Sequence, residues 1–128
     1  MTTAQIHECF LISSGICTDT RNIKKDCIFF ALKGGNFNGN DFALQALALG
    51  ASFVVVDQAH APCEGLILVD DTLTSLQALA RYHRNQLNCP VLAVVGSNGK
   101  TTTKELLQVV LANKFKVCAT KGNLNNHI

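Results

Sequence analysis

The chain has 128 residues, with 11 Lys and Arg against 9 Asp and Glu, and 48% of it is apolar. That apolar share supplies a core and excludes wholesale disorder, while a net charge of +2 is too small to argue for nucleic acid or an anionic membrane as partner. No apolar stretch reaches the roughly 18–20 residues of a membrane span, and Met1-Thr2-Thr3-Ala4-Gln5 lacks the basic start of a signal peptide.

In chain order, residues 3–13 suggest a short helix with Ile6, Cys9, Phe10 and Ile12 on its apolar side and Gly15 as its stop. Cys27 to Leu32 reads as a buried strand. Lys33 to Asn40 is dense in Gly and Asn, which is turn chemistry. Asp41 is then placed to cap a helix that runs through Leu49 and ends before Gly50. Phe53–Asp57 and Leu66–Asp70 read as two further strands. Thr72 to Leu87 carries apolar residues at 73, 76, 79, 80 and 87, a helical spacing that Asn88-Cys89-Pro90 breaks. A buried strand is predicted over 91–95, a helix over about 100–112 and a last strand over 115–119. Strands alternating with helices argue for an α/β architecture with mainly parallel pairing, and a domain boundary falls near 86–90.

Cysteines stand at 9, 17, 27, 63, 89 and 118 with no CxxC pair, and His7, His60, His83 and His127 are scattered. The reading is reduced, partly buried thiols and no metal centre.

The residues that carry chemistry are Gly96-Ser97-Asn98-Gly99-Lys100-Thr101-Thr102, between the apolar run and the predicted helix. The turn lets backbone N–H groups point at phosphate oxygens, and the helix adds the positive end of its dipole. Gly96 and Gly99 permit close backbone approach. Lys100 is a mobile point charge for β- and γ-phosphate oxygens, and the Thr101 hydroxyl suits Mg²⁺ held between phosphates. Ser97, Asn98 and Thr102 are further phosphate or substrate donors. The position five before Gly99 is Val94 rather than Gly, so the loop is two residues tighter than the common phosphate loop. The bland alternative is an ordinary Gly-rich turn with a solvated lysine, which the helix dipole would disfavour.

Ala93 to Glu105 resembles the ATP loop of the Mur ligases, cytoplasmic ATP-dependent amide ligases that build the peptide of peptidoglycan. Thr18-Asp19-Thr20-Arg21, then Ile28 to Gly34, then Asn38-Gly39, resemble the N-terminal UDP-binding module of the members that add the third residue and the final dipeptide. Gly122 to Ile128 resembles the GNxNNxIG stretch of the D-alanyl-D-alanine-adding branch. Thr20 stands where Ser is usual, and Asn38 where Asp is common.

The resemblance implies a small α/β UDP-binding domain over 1–86, followed over 87–128 by the first strand, loop, helix and strand of a phosphate-loop ATPase domain. It places Asp19, Thr20, Arg21, Lys33, Gly34, Gly35, Asn36, Phe37 and Asn38 at the UDP site, with Arg21 or Lys33 meeting pyrophosphate and Phe37 packing on a ring. Asp19 and Arg21 pairing only within a turn, and Phe37 serving as core, are the plain alternatives. Asn125 and Asn126 are implied contacts to the UDP-muramoyl substrate. The implied substrates are UDP-N-acetylmuramoyl-tripeptide and D-alanyl-D-alanine, joined through an acyl phosphate with ATP and Mg²⁺. The family's Mg²⁺ glutamate, its carbamylated lysine and its closing C-terminal domain all follow the Asn-rich stretch, so these 128 residues are expected not to ligate alone. The third-residue-adding ligase and a non-catalytic nucleotide-binding module remain as alternatives.

Overall fold

The computed structural model describes residues 1–58, 61 and 63–120, and divides the chain into two units, Met1–Leu87 and Asn88–His127. In the first unit, α1 (Thr3–Ile12) begins in a capping box: the Thr2 hydroxyl accepts from the Gln5 N–H, and the Gln5 side chain accepts from the Thr2 N–H at 2.9 Å. β1 (Ile16–Cys17) and β2 (Ile28–Phe30) follow, then α2 (Ala43–Ala48), β3 (Phe53–Val56), β4 (Leu66–Leu68) and α3 (Thr72–Gln86). The four strands form one sheet in the order β1-β2-β3-β4, every pair parallel.

Parallel strands are buried on both faces, and the period-2 alternation sorts their side chains into two layers. Ile28, Phe30, Val55 and Ile67 pack with Ile6 of α1 and Leu76 and Leu79 of α3. Phe29, Val54 and Val56 pack on the other face with Ala43 and Ala46 of α2 and with Ala51. Alanines there leave room for the helix to lie close against the sheet. The side chain of Thr72, buried at the start of α3, donates to the Ala31 carbonyl at 3.1 Å and ties that helix to the end of β2. His7 Nε2 and His83 Nδ1 lie 3.0 Å apart between α1 and α3, one ring donating and the other accepting.

Several expectations are corrected. Ile12 is exposed, and His7 is buried in its place beside Ile6, because the helix turns His7 toward Tyr82 and His83 of α3. Asp41 is no cap. The chain enters α2 through a 3-10 turn, Gly39–Phe42, which Asn38 caps by accepting from the Asn40 N–H. The two-residue β1 and a second 3-10 turn, Thr20–Asn22, are too short to leave a periodic signal. No disulfide forms among the described cysteines, but Cys63, Cys89 and Cys118 are exposed rather than partly buried.

In the second unit the helix falls where predicted, as α4 (Lys100–Ala112). The strands predicted over 91–95 and 115–119 do not form among the described residues, and Val91, Leu92, Val95 and Phe115 are exposed. A strand is completed by a ladder to a neighbouring strand, and among the described residues no strand pairs with either segment. Among the described residues no helix is long and apolar enough to cross a membrane.

Candidate functional site at the carboxyl ends of the sheet and the glycine loop

Because every strand runs the same way, their carboxyl ends share one edge of the sheet, where ligands of open parallel sheets bind. The segments leaving that edge are those after Cys17, Phe30, Val56 and Leu68. Two stretches singled out in the sequence, Asp19–Arg21 and Lys33–Asn38, are therefore brought to one edge by the topology. Beside β1 lies a hollow of about 320 Å³ whose walls include Ser14, Ile16, Thr18, Asp19, Asn22 and Lys24.

Asp19 caps the 3-10 turn that carries Thr20 and Arg21. Its carboxylate also takes a forked pair from the Arg21 guanidinium, Nη2 to Oδ2 at 2.6 Å and Nε to Oδ1 at 2.9 Å. That guanidinium, together with the Arg21 N–H, holds the Asp19 carboxyl down at about 2. The two residues do pair within their turn, and the guanidinium keeps its Nη1 edge for another acceptor.

The loop after β2 is closed by a bridge between Lys33 and Asn38 and by the Gly34 N–H donating to Phe37 O at 2.9 Å. The Phe37 ring lies directly over Gly34, where any side chain would collide with it, and stays exposed rather than joining the core. Gly35 and Asn36 form the exposed tip. Gly39 is packed against backbone: a Cβ there would come within 2.6 Å of the Leu32 and Ala31 main chain, so only glycine lets the loop return against the end of β2.

Two residues that sequence reasoning passed over hold this loop. Asp57, expected only as the end of a strand, accepts from Lys33 Nζ at 2.8 Å and from Asn40 Nδ2 at 2.9 Å. Its N–H donates to Asn40 Oδ1 at 3.1 Å, so the two residues clasp each other at two points. Asn40 also donates to Asn38 Oδ1, and Asn38 Nδ2 donates to Gln58. Asn38, expected to contact ligand, thus spends most of its amide inside the fold. Burial works to push the Asp57 carboxyl up, but the Lys33 ammonium and the Asn40 amide outweigh it and the net shift is downward. The only signal in the sequence was an acidic residue directly after a Val-rich strand.

In the second unit, Gly99 takes φ +72° at the N-cap of α4, the left-handed conformation that favours glycine. Gly96 is nearly extended at φ +158°. No side chain caps α4, which leaves its first-turn N–H groups open to an external acceptor. Lys100 folds back over the loop, donating to Gly96 O at 2.7 Å and to Ser97 O at 3.4 Å, and its amine stays within the loop rather than in a distant ion pair. Ser97, Asn98, Thr101 and Thr102 are exposed. No group of three or more His, Cys, Asp or Glu gathers to hold a metal among the described residues. A magnesium carried by nucleotide phosphates needs no such cluster, and the single hydroxyl of Thr101 fits that demand. Asn125 and Asn126 lie outside the described residues.

The pattern recurs in known proteins. A model described as the catalytic domain of the Mur ligase family matches residues 13–86, and one described as the Mur ligase middle domain matches 94–128. The UDP-N-acetylmuramoyl-tripeptide--D-alanyl-D-alanine ligase of Bacillus subtilis is 45% identical over 117 residues, spanning 89% of this chain and 26% of that enzyme. The enzyme of the same name in Escherichia coli is 39% identical over 113 residues, 88% of this chain and 25% of that one. The crystal structure of MurF ligase from Thermotoga maritima in complex with ADP superposes with TM-score 0.77 at 34% identity, over 90% of this chain and 27% of that one. The chain spans about a quarter of the length of the relatives it matches, and through these matches it belongs to the Mur ligase family.

Proposed function

We propose that this chain provides the UDP-substrate-binding module (residues 1–86) and the opening of the ATP-binding module (residues 87–128) of a cytoplasmic ligase that adds D-alanyl-D-alanine to UDP-N-acetylmuramoyl-tripeptide. The observation that carries the reading is the uncapped start of α4 with the Lys100 ammonium folded over its glycine loop. Open N–H groups and a cation side by side suit a polyphosphate. The relatives' shared name and the ADP held by the Thermotoga maritima MurF ligase support the same reading.

In this reading an arriving γ-phosphate takes the Lys100 ammonium from the Gly96 and Ser97 carbonyls, and Thr101 lends its hydroxyl to magnesium. Bound magnesium supplies positive charge while a carboxylate and a phosphate, both anions, are brought together. Arg21 and Lys33 offer their remaining N–H groups to the diphosphate of the UDP-linked substrate, and the exposed Phe37 ring offers a face for stacking. Asn125 and Asn126 belong to the same substrate site by resemblance.

A chimera tests this. The matching quarter of the B. subtilis enzyme is replaced by this chain, and ADP release is measured with UDP-N-acetylmuramoyl-tripeptide and D-alanyl-D-alanine. The chimera turns over, and Lys100→Ala lowers its kcat by a factor on the order of 100 or more, as loss of a charge clamp on phosphate does. A folded chimera whose turnover is indifferent to Lys100→Ala refutes the assignment.

A further inference from the structure

Lys33 and Asp57 are unequal partners. The Lys33 side chain is 47% exposed, while that of Asp57 is 3% exposed, and their charged atoms lie 2.8 Å apart. Asp57 is fixed from two directions by Asn40, through Asn40 Nδ2 at 2.9 Å and through its own N–H on Asn40 Oδ1 at 3.1 Å. The carboxylate is therefore a stationary buried charge. The ammonium sits on a flexible four-carbon stem with three donors, of which Asp57 takes one. Arg21 differs, since its partner Asp19 stands more open to solvent and is anchored only within its own turn.

We propose that Asp57 sets how strongly Lys33 engages a nucleoside diphosphate: it holds the ammonium at the base of the 33–38 loop and takes up its charge, so that a diphosphate arriving there competes with a buried carboxylate. This rests on the reading of the sheet edge as a UDP site, and it adds a determinant of affinity that the loop residues alone do not contain. Asp57 touches no ligand. It acts through Lys33, tempering the attraction so that the diphosphate is bound reversibly rather than clamped. The geometry requires that the two anions share one cation, and that removal of the inner one strengthens the hold on the outer one.

The test is isothermal titration of the full chain with UDP and with uridine, for the wild type, Asp57→Asn, Lys33→Met and the double variant. Asp57→Asn keeps an oxygen for Asn40 Nδ2 and removes the charge at nearly constant shape. Its affinity for UDP rises about threefold to tenfold, and its affinity for uridine stays put. Lys33→Met lowers UDP affinity, and the gain from Asp57→Asn disappears on that background. A purely structural Asp57 predicts the reverse, a loss that UDP and uridine share. Equal or weaker UDP binding by Asp57→Asn, or a gain that survives Lys33→Met, overturns the proposal and leaves the UDP site standing. Wild-type protein that binds neither UDP nor uridine removes both. Should Asp57→Asn not fold, nuclear magnetic resonance of the wild type at neutral pH reads the same competition. UDP shifts both Lys33 ¹⁵Nζ and Asp57 ¹³Cγ while uridine shifts neither, and UDP that leaves both signals in place overturns it.

Discussion

Residues 53–56 and 91–95 are nearly interchangeable as sequence, Phe-Val-Val-Val and Val-Leu-Ala-Val-Val, yet one is the centre of a sheet and the other is not a strand. β3 has β2 on one side and β4 on the other, with its Val54, Val55 and Val56 fully buried. Val95 is 90% exposed. An apolar run specifies that a segment is to be buried, but not what will bury it. Parallel pairing needs a second segment supplied by a crossover, and within the first unit β2 and β4 are there to supply it. The second unit, as far as its residues are described, holds one amphipathic helix and two apolar segments without a ladder.

The sharpest way to break this comparison is to truncate one residue in each region. Phe30 is fully buried among the residues that pack against α1 and α3, so Phe30→Ala lowers the stability of the first unit by about 3–5 kcal/mol. Val95→Ala stays within about 0.5 kcal/mol, since it removes no buried contact. Urea unfolding followed by circular dichroism reads both. A large effect of Val95→Ala would show that the apolar run before the glycine loop is a packed strand after all.

The same contrast explains what was legible in the sequence. α3, α4, β3 and the parallel pairing were readable, because each rests on a repeated local pattern. The glycine loop was readable too, since a strained backbone beside a lysine leaves its mark in residue types. Partnership was not legible. Nothing local distinguishes Val54 from Val94, and nothing at Asp57 or Asn40 announces that they clasp each other across 17 positions. Long-range polar networks carry no period. For the same reason the use of Asn38 inside the fold was not legible: the amide expected to meet ligand bonds Asn40 and Gln58, whereas Phe37 stays exposed and does not join the core.

Acid sharpens the comparison next. In the first unit the carboxyls of Asp19, Asp57 and Asp71 all sit below the ordinary aspartate range. For Asp19 and Asp71 the leading causes are the hydrogen bonds from Arg21 and Thr74, and for Asp57 the Lys33 and Asn40 contacts overcome burial. A folded-state value below the unfolded one means that the unfolded chain takes up protons first. Their stabilisation is therefore complete above the unfolded value near 3.8 and fades as pH falls through the folded values, which for Asp19 is about 2. Urea midpoints for the first unit hold above about pH 4 and fall steadily from there toward about pH 2, and Asp57→Asn makes that fall shallower. A midpoint that rises on acidification would contradict the ion-pair and hydrogen-bond arrangement at the sheet edge.

The smallest effect concerns helix starts. α1 begins with the Thr2 hydroxyl on the Gln5 N–H, and α3 with the Asp71 carboxylate on the Thr74 N–H at 2.7 Å. α4 begins at Gly99 with no side chain on its first turn. Caps at α1 and α3 serve stability, and the bare start of α4 leaves donors for an anion. Thr2→Ala accordingly lowers the stability of the first unit by about 1 kcal/mol and leaves ADP binding by the chimeric enzyme unchanged. The helix that lacks a cap behaves oppositely. Its open N–H groups do little for the protein by itself, and saturating ADP raises the melting temperature of the chimera by protecting them. If Thr2→Ala weakened ADP binding as much as it weakened the fold, the division between helix starts that stabilise and a helix start that binds would collapse.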